Sequence, residues 1–460
     1  MKLMFVENRY ATWMFEAVAH HLAAAGHEIH WLVQNPVFAP RWGRIHLLPF
    51  PPRGMGSTEA SADDYGWLRR TDRGVLHFGG NDRHYPHYDR HIASILQAVG
   101  PDVVFGEATE FHELLTIGRS RQLGITYLSP NATRYPPDRL TFNLYDTLDS
   151  IGGEGTLLND DEVRALLDAI RGRKVIPGYM QAGRNAKGSG LTRRLSDKFR
   201  VTRGWLAGER FVTPSPMRKL ELQAEQKRQQ ATWDGRSARQ APAVGDALKG
   251  AKPWVLYPMQ LQPEGNIDVW GRPWNDQAEI IRRSARALAG TDATLIVKPN
   301  PKSKYEMSAR LNEVMDAEPN VLGLGHATPM AEVFPAATLV LTVTGTVLIE
   351  SVLAGKPVAS LGNHSLSRYP GVTALDSPET LPEVLRAAHG GKALRATEMQ
   401  ACTLLRQLHA TSYPAILWDP LMQPQLASQD NVGAMARAFT DVLRRVGHQS
   451  AQPHHDMVTP

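Results

Sequence analysis

Leu339-Val-Leu-Thr-Val-Thr-Gly-Thr-Val-Leu-Ile-Glu-Ser-Val-Leu-Ala-Gly-Lys-Pro-Val-Ala-Ser-Leu361 decides the fold of this chain. An apolar run of strand length, 339–343, ends in the turn Thr344-Gly345-Thr346. A helical stretch follows at 347–353, then Gly355 and Pro357 stop it, and a second apolar run fills 358–361. Two wholly apolar strands joined by a helix belong to a parallel sheet covered on both faces.

The same alternation extends outward. Upstream, 255–257, 294–297 and 321–324 read as strands, with helices near 277–288 and 305–315. The first 130 residues repeat the pattern, with strands at 2–6, 29–33, 45–48, 102–105 and 125–128. One helix there carries Met14, Phe15, Val18 and Leu22 on one face and closes at Gly26. Others are expected at 91–99 and around Phe111, Leu114 and Leu115. The expected fold class is α/β, with two doubly wound Rossmann-like domains facing a cleft. Residues 1–231 form the first, including a polar, basic helical segment at 151–231 with helices at 160–170 and 195–229. Residues 232–252, rich in Gly, Ala, Arg and Ser, read as a linker, and 253–446 as the second domain with a closing helix from 431. A disordered tail is expected at 447–460.

Composition limits the function classes. The chain has 460 residues, 42% hydrophobic and 21% charged, as in ordinary globular proteins of two or three domains. A single cysteine, Cys402, makes no internal bridge and suits a reducing compartment. No apolar run approaches the roughly 20 residues that span a bilayer. The start of the chain reads as a strand rather than a signal peptide, so a cytoplasmic location is expected. The net charge is +5, but residues 171–240 hold 17 Lys and Arg against 5 Asp and Glu. That segment carries +12 and leaves the remainder at −7. It is a candidate for peripheral docking on an anionic inner membrane leaflet, with a solvated helical face as the plain alternative. It lacks a nucleic-acid-binding motif and interleaved aromatics, so no nucleic-acid partner is expected.

Ligands of doubly wound sheets bind beyond the carboxyl ends of the strands. Three strand exits carry suitable chemistry. Thr344-Gly345-Thr346 places hydroxyls and helix-start N–H groups where a phosphate binds, with Glu350 one turn on, placed to accept from a ribose hydroxyl. Gln262-Pro263-Glu264 holds a carboxylate fit for a nucleophile or base, with Asp268 a nearby competitor. Lys298-Pro299-Asn300-Pro301 offers a lysine to phosphate or carboxylate. In the first domain, Glu107 is a base or acceptor-binding candidate, and Asn8, Arg9, Glu110 and His112 would line the opposite wall. His84, His87 and His91, with Asp82 and Asp89, read as a polar loop interrupted by Pro86, so no metal is expected. Asp160-Asp161 reads as a helix start. There is no P-loop, no G-x-G-x-x-G and no G-x-S-x-G.

Together, Tyr257-Pro-Met-Gln-Leu-Gln-Pro-Glu264, Val297-Lys-Pro-Asn-Pro301 and Thr342-Val-Thr-Gly-Thr346, with Glu350 and Gly355-Lys-Pro-Val358, resemble the capsule polysaccharide biosynthesis family. The resemblance covers about residues 250–375 well and the first domain in general style only, including His30-Trp-Leu-Val-Gln-Asn35. The family comprises GT-B glycosyltransferases and includes the bacterial retaining β-Kdo transferases. The resemblance implies a nucleotide-sugar donor, typically CMP-Kdo, on the second domain and a glycan or lipid-linked acceptor on the first. It implies Glu264 as nucleophile, phosphate held by Lys298 and Thr344 to Thr346, and no metal or other cofactor. Where the family has His-Pro this chain has Asn300-Pro301. That departure leaves open another nucleotide-activated donor, a different sugar or a polyol phosphate. A non-catalytic glycan-binding assembly subunit is the remaining alternative.

Overall fold

The computed structural model describes residues 1–52, 64–175, 191–362, 364–392, 394–421 and 423–450. Strands β1 (Lys2–Val6), β2 (Glu28–Val33), β3 (Arg44–Leu47), β4 (Val103–Phe105), β5 (Thr126–Ala132) and β6 (Leu140–Leu144) form one sheet in the order β3-β2-β1-β4-β5-β6. All neighbours are parallel except β5 and β6. The second sheet contains β7 (Trp254–Pro258), β8 (Thr294–Lys298), β9 (Val321–Gly323), β10 (Leu339–Thr342), β11 (Val358–Ser360) and β12 (Val372–Ala374). It runs β12-β11-β10-β7-β8-β9 and is parallel throughout. These are two doubly wound, Rossmann-like domains. β10 is buried at every position and β7 likewise, as expected of strands covered by helices on both faces.

Two edge strands were not legible. β12 is three residues long, too short to show a period. β6 turns back antiparallel on β5, and the loop between them carries Arg134 and Tyr135 toward the second domain.

Residues 232–252 are no loose linker. Residues up to Lys249 belong to the 34-residue helix Pro216–Lys249. Trp233, Arg236, Gln240 and Val244 recur at helical spacing and face the second domain. Trp233 is fully buried and donates its indole N–H to the Leu324 carbonyl at 2.9 Å. Arg236 donates to Asp316 Oδ1 and to the Asn312 carbonyl, each at 2.9 Å. A Gly- and Ala-rich composition masked this face.

The stretch around His84 is also a helix, Tyr85–Val99, rather than a polar loop. Pro86 sits in its first turn, where a missing N–H interrupts no helical bond. His87 bonds the Pro49 carbonyl at 2.8 Å, and Asp89 pairs with Arg119 and Tyr65.

Two segments cross between domains. Helix Asp160–Arg171, capped by Asn159 with Asp160 and Asp161 in its first turn, packs Val163, Leu167 and Ile170 against Val352, Leu353 and Leu405 of the second domain. Conversely, the last helix, Gln429–Ser450, returns to the first sheet and lies along helix Ala11–Ala24. It extends through residues 447–450, where a disordered tail was expected; residues 451–460 lie outside the described residues. Phe439, fully buried, meets Phe105 and Phe142 with ring centroids 4.8 Å apart in each case. Cys402 is buried on helix Glu398–Ala410. Among the described residues no helix is long and apolar enough to cross a membrane.

Phe439→Ala removes the centre of this aromatic cluster. It should lower unfolding stability by about 3–5 kcal/mol, read from the denaturant midpoint, and expose the first sheet to limited proteolysis.

Candidate functional site

The order β10-β7-β8 makes these three strands neighbours, so their carboxyl ends place 343–346, 259–264 and 299–301 side by side. The three strand-exit groups expected from the motifs therefore share one rim. Their individual roles differ from one another.

Glu264 caps the short helix Gly265–Asp268 and is half-buried. Burial raises its carboxyl above the ordinary carboxylate value, opposed by a hydrogen bond from Asn266 and by the charges of Arg134, Lys304 and Lys302. Asn266 donates to Glu264 Oε2 at 3.3 Å and accepts from Arg134 of the first domain. Gly265 lies directly against that domain: a Cβ there would sit 3.4 Å from the Thr109 methyl and 3.6 Å from the Ala108 carbonyl. Glu264 is thus adjacent to the seam, beside the loop that begins at Glu107.

Gln262 is buried scaffold. Its amide donates to Asp268 Oδ1 at 2.6 Å and to the Asn275 carbonyl at 3.0 Å, and accepts from Gln277 at 3.0 Å. These contacts hold the Glu264 loop. Asp268 is buried too, and meets His77 across the seam at 3.3 Å.

Thr344 is fully buried. Its hydroxyl donates to the Asn266 carbonyl at 2.5 Å and accepts from Gln260 Nε2 at 2.7 Å. It ties the β10 exit to the Glu264 loop. Gly345 follows at φ 91° and caps helix Thr346–Leu353. The positive φ favours glycine there, and a Cβ would also crowd Gln260 Nε2 at 2.8 Å. Glu350, on that helix, accepts from the Tyr135 hydroxyl at 2.9 Å and from Arg173 at 3.4 Å, which makes it an interdomain contact in this structure. Burial raises its carboxyl, opposed by Arg173 and Tyr135.

Lys298 is buried at the end of β8. Its ammonium donates to the carbonyls of Pro299 at 2.8 Å and His326 at 3.4 Å. Burial lowers its pKa to about 8. Asn300 uses its side-chain oxygen on the Lys302 N–H at 2.9 Å, and Pro301 is exposed beside it.

On the first domain the organising group is Glu113, which the sequence reading missed. It is fully buried and accepts from the backbone N–H groups of Glu107, Thr109 and Glu110 at 2.9–3.0 Å and from the Thr109 hydroxyl at 3.1 Å. Asn8 adds its side-chain amide to Glu113 at 3.1 Å and to Glu107 at 3.2 Å. The available signal was Glu113 three residues after the cap Glu110, a capping-box spacing. Burial and the neighbouring Glu113 charge raise the Glu107 carboxyl, against the pull of Arg73. Burial raises Glu113 as well.

The other wall candidates are more deeply placed. Arg9, at φ 44°, donates to the Thr213 hydroxyl at 2.7 Å. Glu110 is buried and ion-paired with Arg73 at 3.2 Å. His112 is buried and donates its Nε2–H to the Glu7 carbonyl at 2.7 Å. Glu110 and His112 support the wall from behind. Arg73, Arg134 and Tyr135 join the site only through folding. Two open depressions, one beside Arg282, Arg283 and Glu379 and one beside Lys356 and Arg395, lie apart from these groups.

Comparison with known proteins gives a family match over part of the chain and a general likeness. Residues 213–401 match the family described as capsule polysaccharide biosynthesis protein. No curated protein sequence matches the chain. Among solved structures, UDP-GlcNAc 2-epimerase from Neisseria meningitidis bound to UDP-GlcNAc is 12% identical, with 97% of this chain and 100% of that chain covered and a TM-score of 0.31. Putative UDP-N-acetylglucosamine 2-epimerase from Listeria monocytogenes is 10% identical, with 99% of each chain covered and a TM-score of 0.31. Glycosyltransferase VinC in complex with DTDP is 12% identical, with 97% and 100% covered and a TM-score of 0.26. At these scores the likenesses add nothing to what the two sheets show.

The depressed pKa of Lys298 yields a signed prediction. Its charge costs folding energy in full below pH 8, and the cost fades as pH rises from about 8 toward the unfolded value near 10.4. The stability of Lys298→Met relative to wild type should therefore be greatest below pH 8 and decline by roughly 1–3 kcal/mol toward pH 10.4, measured by urea unfolding across that range.

Proposed function

We propose, from the match of residues 213–401 to the capsule polysaccharide biosynthesis family, that this protein is a glycosyltransferase of bacterial surface polysaccharide synthesis. The observation that carries the reading is the placement of Glu264 in the loop that leaves β7, half-buried and next to Gly265, which abuts Ala108 and Thr109 of the first domain. Lys298 and the Thr344–Thr346 turn flank it on the neighbouring strands.

In this reading the donor is a nucleotide-sugar, CMP-Kdo in the first instance. Glu264 attacks the anomeric carbon, and the bond to the leaving phosphate oxygen breaks with its electron pair. The phosphate takes up that charge near Lys298 and the start of helix Thr346–Leu353, where a cation and helix N–H groups favour it. The acceptor hydroxyl then attacks from the opposite face, its proton passes to Glu107, and the bond to Glu264 breaks. Two inversions give net retention. Arg134, Lys302 and Lys304 favour the ionised form of Glu264 that the first step needs. Thr344 and Gln262 act by holding the loop. No cofactor or metal enters this scheme.

Asn300 favours a second reading. Its side-chain oxygen caps its own loop, and the amide can neither carry a charge nor transfer a proton at neutral pH, which suits a different nucleotide-activated sugar or polyol phosphate as donor.

Incubation with CMP-Kdo and a glycolipid acceptor should give product, with a donor-dependent mass adduct in wild type that Glu264→Gln lacks. Turnover untouched by Glu264→Gln removes the nucleophile assignment, and turnover only with another donor selects the second reading. Glu107 supplies an independent check. Because its carboxyl is raised, kcat/KM should climb with pH along a limb displaced above the usual carboxylate range. Glu107→Gln should abolish that limb and lower kcat/KM by about 10²–10⁴-fold.

A further inference from the structure

Helix Leu191–Ala207 holds three large apolar residues, Leu195, Phe199 and Leu206, on its solvent side. Leu195 is 56% exposed, Phe199 72% and Leu206 67%. At 100° per residue these three project within about 40° of one another. The opposite face is the one that packs. Asp197 accepts from the Tyr10 hydroxyl at 2.7 Å, and the Arg200 guanidinium lies 4.6 Å from the centre of the Trp13 ring. A Cβ on Gly204 would stand 3.1 Å from the Asn35 side chain. The inner face is thus fixed to the first domain by polar and cation–π contacts, and this anchoring turns the apolar stripe outward. Exposed Lys198 and Arg203 flank the stripe, one on each side. Met217 and Leu220, exposed at the start of the next helix, add apolar surface close by in the chain.

Three aligned apolar side chains exceed the scattered exposure normal for a surface. Basic residues on both borders give the stripe a complement: an apolar layer beneath a negatively charged one, which is the structure of an anionic lipid surface. We propose that the outer face of helix Leu191–Ala207 is a membrane-docking surface, with Leu195, Phe199 and Leu206 entering the headgroup boundary and Lys198 and Arg203 meeting lipid phosphates. A face of this kind binds in the plane of the interface and spans nothing. It narrows the basic segment at 171–240 to one helix and requires no particular sugar chemistry.

The test is sedimentation of the full chain with vesicles of phosphatidylcholine alone and of phosphatidylcholine mixed with phosphatidylglycerol. Wild type should bind the mixed vesicles at least tenfold more tightly, with affinity falling as salt rises. Phe199→Ser with Leu206→Ser should lose about tenfold or more in affinity, and Lys198→Glu with Arg203→Glu should lose about fivefold per charge. Thermal unfolding of each variant confirms that it is folded, and turnover of a water-soluble acceptor should remain at the wild-type rate. Equal wild-type binding to both vesicles overturns the proposal. So does wild-type-like binding by folded Phe199→Ser/Leu206→Ser. Self-association of wild type that this variant abolishes, without vesicle binding, identifies the face as a protein interface and also overturns it. Failure of donor turnover leaves these readouts intact, so the two proposals fail separately.

Discussion

Phe439 in the aromatic cluster of the first sheet is the contact on which the arrangement rests. It joins Phe5, Phe105 and Phe142 from β1, β4 and β6, and it arrives on a helix that follows the second domain in the chain. Helix Asp160–Arg171 makes the reverse crossing and buries its apolar face on the second domain. Each domain therefore completes its core with a helix supplied from beyond the other's sequence. Separating the domains would expose apolar surface on both, so the facing of the two sheet rims is tied to the hydrophobic term that stabilises each of them.

That facing sets the electrostatics of the seam. Glu107, Glu113, Glu264 and Glu350 are all raised, in each case chiefly by burial. Arg73, Arg134 and Arg173 oppose the shift at individual sites. Away from the rim the balance reverses. Burial opposes it, yet Arg121 and Arg272 together hold Asp146 below the carboxylate range, and the Arg272 bond at 2.6 Å fastens the two domains. Carboxylates raised by burial thus lie along this rim, and an arginine-paired carboxylate held low lies where the domains are joined.

The strand exits at Glu264, Lys298 and Thr344 were legible because each depends on a local pattern, an apolar run followed by Pro or Gly. What those residues touch was not. Thr344 carries the hydroxyl expected of a phosphate ligand, yet that hydroxyl is consumed by Asn266 and Gln260. Glu350 meets Tyr135, a residue 215 positions away, on a hairpin that no period announced. Composition misled once: the Gly- and Ala-rich residues 232–249 are helix, and the decisive signal was the spacing of Trp233, Arg236, Gln240 and Val244.

By itself the sequence determined the parallel core of the two sheets, the rim that carries the motif residues and the concentration of positive charge before the second domain. These follow from periods of a few residues and from counts, which a single chain displays in full. Only the tertiary structure decided which helices close which core, that Glu113 organises the first wall, and that Leu195, Phe199 and Leu206 face outward. The physical reason is that burial and hydrogen-bond partnership are set by groups far away in the chain. An apolar stripe reads the same whether a core covers it or solvent meets it.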